Sequence, residues 1–261
     1  MKVDELLVFD IWGDFAHFRR GYTTTSALSY PFPPKSTLIG IIAAILGLPN
    51  KKNEEDNYCK VLSSENIKLS LRIINPIKKI IIKENFIDTK HGLTHWEIQR
   101  KNQPPRTQIP LEFIKNPYYR VYVWIGNMYS KRLKELIENK QTFYTPYFGI
   151  SECLANLKFV KQFTKEKIKT IKKTKDFCEI DSIIPLNAVK EDFIIEENIP
   201  YGSVKIPIFI DEERIVEGYQ EFIFNIDGNS IKNRKPLKTK NISSEYKDYS
   251  ISIGGENVIL F

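Results

Sequence analysis

At 261 residues, with 42% hydrophobic and 12% aromatic content, the chain can bury one good core and a second small one, which excludes general disorder. No apolar run reaches the roughly 18 residues needed to cross a bilayer, and no charged-then-apolar leader opens the sequence, so the expectation is a cytoplasmic protein with no membrane partner. A net charge of +7 and a pI near 9.1 are compatible with a polyanionic partner, although global charge alone does not assign one.

The first apolar run, Leu6 to Trp12, predicts a buried strand that Gly13 ends. A helix is predicted from Ser36, as N-cap after two prolines, to a stop at Gly47 and Pro49. Between them lies a 22-residue polar loop, Asp14 to Lys35, far longer than the usual strand-to-helix connection; loops of that length in compact domains are usually functional. It carries Arg19, Arg20, Tyr22, Thr23, Thr24, Thr25, Ser26, Ser29 and Lys35, residue types that contact phosphates and stack on bases. Lys35-Ser36-Thr37 before a helix superficially resembles a phosphate loop, but Pro33 and Pro34 have no N–H to offer a phosphate, so nucleotide binding is not expected. Lys35 is still expected to touch one phosphate as a point charge.

Farther along, Ile67 to Ile73 alternates with period two, as a half-buried strand should, and Ile77 to Ile82 beyond Asn75-Pro76 suggests a hairpin partner. Tyr119 to Ile125 is rich in strand formers, Tyr129 to Lys140 places Leu133, Leu136 and Ile137 on one helical face, and Leu157 to Phe163 predicts another strand. Strand, helix, strand, insertion, strand, helix, strand is the order of a ferredoxin-like domain, the architecture also used by RNA-recognition modules. The expected fold is therefore α+β: a ferredoxin-like domain over residues 1–165 and a smaller β-rich part over 166–261, where Val204 to Ile210, Gln220 to Ile226 and Val258 to Phe261 suggest short strands.

Residues 83–117 interrupt the domain with cations, histidines, one tryptophan and turn formers, so they are expected to project, on composition alone as an ordinary surface hairpin. Trp96 would stack on bases, while Arg100, Lys101 and Arg106 would meet phosphates. The positive surplus falls in the middle of the chain: residues 51–150 hold eighteen basic and ten acidic residues, residues 151–261 seventeen and eighteen. Within the last part, Lys158 to Lys175 contains eight lysines and one glutamate, and its blandest interpretation is a solvated helix face.

Catalytic and metal chemistry find little support. Cys59, Cys153 and Cys178 are too scattered for a disulfide frame or a zinc site. Asp10 and Asp14 flank a strand end with no evident partner, and His17, between Ala16 and Phe18, reads as structural. No aromatic signature of the common RNA-recognition domain lies on a predicted strand, so any RNA would be gripped by loops.

The motifs nevertheless point to one family. Gly13-Asp14 with Ala16, Phe18 and Arg19, then Thr23-Thr24 with Ser26, then Pro33-Pro34-Lys35-Ser36-Thr37-Leu38 with Gly40-Ile41-Ile42 resemble the N-terminal signature of the fifth CRISPR-associated family, an RNA-binding (RAMP) subunit of the Cascade complex. Pro105-Arg106-Thr107-Gln108 leading to Glu112 and Asn116-Pro117-Tyr118-Tyr119-Arg120, and Pro146-Tyr147-Phe148-Gly149 with Glu152, are similar to its later blocks; the wording is most similar to the type I-B branch. That resemblance implies a non-catalytic subunit with no cofactor, whose insertion at 83–117 is a thumb-like hairpin. It would hold the five-prime handle of crRNA, cap the backbone subunits, and sit beside the large subunit, meeting target DNA indirectly. Two rivals stay open: a metal-independent endoribonuclease drawing on His17, His91, His95, Tyr22 or Lys35, and a protein-only scaffold.

Overall fold

A computed structural model describes the chain apart from residues 1–2, 22, 24–26, 52–53, 88–105, 174–175, 190–192, 212 and 214; the side chains at 87, 106, 107 and 127 also lie outside the description. In chain order its first part runs Glu5–Trp12 (β1), Phe15–Ala16 (β2), Lys35–Leu46 (α1), Tyr58–Val61 (α2), Ile67–Ile73 (β3), Lys78–Ile87 (β4), Arg106–Lys115 (β5), Tyr118–Ile125 (β6), Asn127–Glu138 (α3) and Asn156–Thr164 (β7).

Four of these strands form an antiparallel sheet in the order β3-β6-β1-β7. Strand side chains alternate between faces, and here both faces are buried. Leu7, Phe9 and Ile11 of β1, with Leu69, Leu71, Val121 and Val123, share a core with Leu38, Ile39 and Ile42 of α1 and with Leu133 and Ile137 of α3. The opposite face presents Leu6, Val8, Tyr122, Trp124 and Phe163 to Ile251, Ile253, Val258 and Leu260 from the end of the chain. The sheet is thus the middle of three layers, with its aromatics Phe9, Tyr119, Tyr122, Trp124 and Phe163 buried.

The remaining elements are Lys169–Thr170 (β8), Cys178–Ile180 (β9), Ile184–Pro185 (β10), Leu186–Val189 (α4), Phe193–Ile194 (β11), Tyr201–Ile210 (β12), Val216–Asn225 (β13), Leu237–Thr239 (β14), Ser250–Ile253 (β15) and Glu256–Ile259 (β16). They make three small sheets, β10-β13-β12, β11-β14-β9 and β16-β15-β8. Residues 166–261 have a small buried cluster of their own, Cys178, Ile180, Ile184, Ala188, Val189, Leu237 and Ile259, but also contribute Ile183, Ile206, Phe222, Phe224 and Phe261 to the same cluster as β1 and α1. Phe261 exchanges both backbone hydrogen bonds with Leu69, at 2.8 and 3.1 Å, and so extends the sheet beyond β3.

Five sequence expectations need correction. Helix α1 begins one residue before Ser36, flanked by Pro34 with no side-chain cap; Gly47, left-handed at φ 74°, does end it. Asn75-Pro76 does not close a hairpin between β3 and β4, because the Ile77 N–H bonds to Ile226 O and steers the chain out of the first sheet. Strand β4 pairs instead with β5, from Lys78 opposite Lys115 to Ile87 opposite Arg106, so the projecting hairpin starts at 78 rather than 83. The lysine-rich run from 158 lies on strand β7, a 3₁₀ turn at Lys165–Lys167 and β8, not on a helix. Asp10, finally, is not unpartnered: its carboxylate accepts from Arg120 Nε at 2.8 Å and from Tyr118 at 3.0 Å.

Candidate nucleic-acid interface

The long loop after β1 is tied along its length to the base of the β4–β5 hairpin. Strand β2 pairs with the end of β5, Phe15 opposite Lys115 and Ala16 opposite Ile114. On its return the loop bridges Ala27 to Leu111, the Ala27 N–H bonding Pro110 O at 3.3 Å and the Glu112 N–H bonding Ala27 O at 3.0 Å. Glu112 does most of the pinning by side chain and backbone. One carboxylate oxygen accepts from Ser29 N–H at 3.0 Å and from Lys79 Nζ at 2.7 Å, while its carbonyl accepts from His17 Nδ1 at 2.8 Å. A carbonyl only accepts, so the His17 ring carries its proton on Nδ1. His17 is 1% exposed, packs on Phe113, and its Nε2 has no hydrogen-bond partner among the described residues. It is a fastening buried under the loop, as its apolar neighbours in sequence suggest.

From the other side, the segment 144–150 holds the same loop. The His17 N–H bonds Phe148 O at 3.0 Å, and a Cβ on Gly149 would come within 2.0 Å of His17 O. Gly149 has φ +87°, a backbone that side chains rarely adopt, so glycine is required twice over.

Arg19 and Arg20 emerge from this base in different ways. Arg19 bridges to Ser29 by its backbone alone and exposes its guanidinium, which has no side-chain partner among the described residues. Arg20 turns inward: its Nε donates to Ser29 O at 3.2 Å and its guanidinium lies 5.5 Å from the Tyr30 ring centre. Thr23 closes a turn by donating its hydroxyl to Arg20 O at 2.8 Å. Tyr22, Thr24, Trp96, Arg100 and Lys101 lie outside the described residues, as does the side chain of Arg106. The backbone of Arg106 is at the far end of the hairpin, five residues and therefore about 17 Å of strand from the Leu111 bridge.

Lys35 is placed elsewhere. It is 5% exposed, its Nζ donates to Phe261 O at 2.9 Å, and the Phe261 ring lies 5.9 Å away. Burial, helped by the nearby Lys68 charge, pulls its pKa down to about 7. A phosphate-gripping role for Lys35 is therefore replaced by a structural one.

The hairpin supplies cations that sequence reasoning missed. Lys78, Lys83 and Lys115 are exposed, and Lys78 stands directly opposite Lys115 across the ladder. Like charges in that position are destabilising, and neither has a carboxylate partner among the described residues. The signal was present in Ile77-Lys78-Lys79-Ile80-Ile81-Ile82-Lys83, where counting the apolar residues alone hides the lysines. Together these are cations on one bonded framework: Arg19 on the loop, Lys78 and Lys115 on one face of the hairpin to which that loop is bonded, and Lys83 on the hairpin's other face. Cations spread over such a framework suit a chain of phosphates better than one small anion.

Comparison with known proteins places these features in context. The profile of the family described as "CRISPR-associated protein (Cas_Cas5)" matches residues 6–240. Among solved structures, the chain is similar to a CRISPR protein from Archaeoglobus fulgidus, with a TM-score of 0.54 at 15% identity over 98% of both chains. It is also similar to a chain of a CRISPR RNA-guided surveillance complex, with a TM-score of 0.52 at 10% identity over 88% of this chain and 91% of that one. At such identities the likeness concerns the fold. No curated protein matches the chain.

Proposed function

The chain belongs to the Cas5 family of CRISPR-associated proteins, and from that membership we propose that it is a non-catalytic RNA-binding subunit of a type I Cascade complex. It holds the five-prime handle of crRNA, caps the row of backbone subunits and adjoins the large subunit. The type I-B branch is the assignment favoured by the wording of the N-terminal motifs. The sheet order β3-β6-β1-β7, with α1 and α3 as its two crossovers, supports the ferredoxin-like reading of the RNA-recognition half.

The observation that carries the proposal is the stitched loop and hairpin. Arg19, Lys78, Lys83 and Lys115 project from one bonded framework without carboxylate partners among the described residues. Uncompensated cations on a hydrogen-bonded loop and hairpin suit phosphate recognition, and the sheet behind them is covered, so the bases would be met by loops. The buried, tied ring of His17 favours binding over cleavage, because a general base must reach the proton it removes.

Charge reversal at Arg19 and Lys78 tests the assignment. Both side chains are exposed, so the fold should survive. The Arg19→Glu/Lys78→Glu variant is expected to lose at least tenfold of the crRNA that co-purifies with the reconstituted complex. Undiminished crRNA would sink the proposal.

A further inference from the structure

A second row of cations runs along β7 and the residues that follow it. Lys158, Lys161, Lys165, Lys167, Lys169, Lys172 and Lys173 are all exposed, and none has a carboxylate partner among the described residues. Glu166, the acid among them, accepts instead from the Thr164 hydroxyl. Strand β7 is the outer strand of the main sheet, and its register shifts where Val8 is opposite Lys161 and Phe9 opposite Phe159. That bulge sets Lys158, opposite Asp10, and Lys161, opposite Val8, on the same side of the strand, where strict alternation would separate them.

Lysines on an outer strand often serve only to prevent edge-to-edge pairing. That explanation covers Lys158 and Lys161 but not Lys165, Lys167 and Lys169, which continue through the 3₁₀ turn into β8, itself already paired to β15, nor Lys172 and Lys173 beyond it. Nor is acid scarce: residues 151–261 contain eighteen acidic side chains, with thirteen between Asp176 and Asp227. The row keeps its self-repulsion although partners exist nearby in sequence. Its chemistry also narrows the partner. Proteins that hold single strands stack bases on exposed aromatic rings. Here Phe163 is buried and Phe159 is packed on the core, so the row offers charge without a stacking platform.

We propose that the β7 edge, from Lys158 to Lys173, is a sequence-independent contact for the phosphate backbone of a nucleic-acid duplex, distinct from the edge that holds the crRNA handle. A duplex keeps its bases inside and its phosphates outward, which matches a row of flexible point charges. The contact goes beyond the handle-binding reading and does not require it.

Titration of the full chain with a short fluorescent duplex across a salt series tests this directly, with separate DNA-duplex, RNA-duplex and single-strand probes. Each phosphate contact contributes about 0.9 to the slope of log affinity against log salt for duplex DNA. Replacing four lysines, Lys158→Gln, Lys161→Gln, Lys165→Gln and Lys169→Gln, should lower that slope by roughly 3 to 4 and weaken duplex binding at least tenfold. The Arg19→Glu/Lys78→Glu variant should leave the duplex slope unchanged while losing crRNA. An unchanged slope in the four-lysine variant, or a preference for single strands over both duplexes, would overturn the proposal. Loss of a protein subunit from the complex with the slope intact would overturn it equally.

Discussion

Glu112 holds the interface together at the scale of one residue, accepting from Ser29 and Lys79 by its carboxylate and from His17 by its carbonyl. Removing the carboxylate in Glu112→Ala leaves the part-buried Ser29 N–H without its acceptor, which should cost about 1–3 kcal/mol. Urea unfolding should show that loss, and amide exchange should quicken over residues 17–30. Glu112→Gln, which keeps an acceptor, should recover most of it. Lys35 makes a different prediction. Its folded pKa of about 7 lies below the ordinary 10.5, so the unfolded chain binds that proton more tightly. Stability must therefore rise with pH between about 7 and 10.5 on account of this group, and fall as pH drops through that window. Lys35→Met should flatten the rise, measured as the difference between the two stability curves; parallel curves would refute the assignment. In sequence, a lysine after two prolines in a polar loop reads as exposed. Its acceptor lies 226 residues away, so no local pattern announces the burial.

Among the elements, the strands of the main sheet were legible from apolar runs and strand-forming residues, because a strand covered on both faces still shows which residues are strand formers. Leu6 to Trp12, Ile67 to Ile73 and Tyr119 to Ile125 fall within β1, β3 and β6. Helix α3 was legible from Leu133 and Ile137 on its inner face. The pairing of β4 was not. A proline turn between two apolar runs suggests a hairpin, and the bond from Ile77 to Ile226 that prevents one depends on the far end of the chain. The loop's framework was equally hidden, since its fastenings at Glu112 and Gly149 are distant in sequence. Gly149→Ala tests it: the left-handed backbone alone costs about 1–2 kcal/mol, and the contact with His17 O forces the loop to shift. Both the urea midpoint and crRNA retention should fall. Retention at the original level despite lost stability would separate the loop's position from RNA holding.

Across the whole molecule, a buried charge network joins the sheet to the end of the chain. Arg72, 2% exposed, donates to Glu256 at 2.6 Å and to Asn229 O at 2.8 Å, while Arg120 donates to Glu256 at 2.9 Å and to Asp10. Arg234 closes the far side with bonds of 2.6 and 2.7 Å to Asp181. Sequence shows these only as isolated charges, and the cross-chain pairing cannot be inferred from any of them singly. Deleting one member of such a network strands the others, so Glu256→Ala should cost about 3–5 kcal/mol. Residues 1–165 expressed alone should fail to give a cooperative unfolding transition, since the face of the sheet carrying Val8 and Tyr122 would be bare. A sharp transition for that fragment would show that the two parts are independent. The central claim concerns where RNA lies, and ultraviolet cross-linking of the assembled complex, with cross-linked peptides identified by mass spectrometry, measures it most directly. Handle nucleotides should cross-link within residues 15–30 and 78–115; cross-links confined to β12, β13 or the α3 surface would contradict the account.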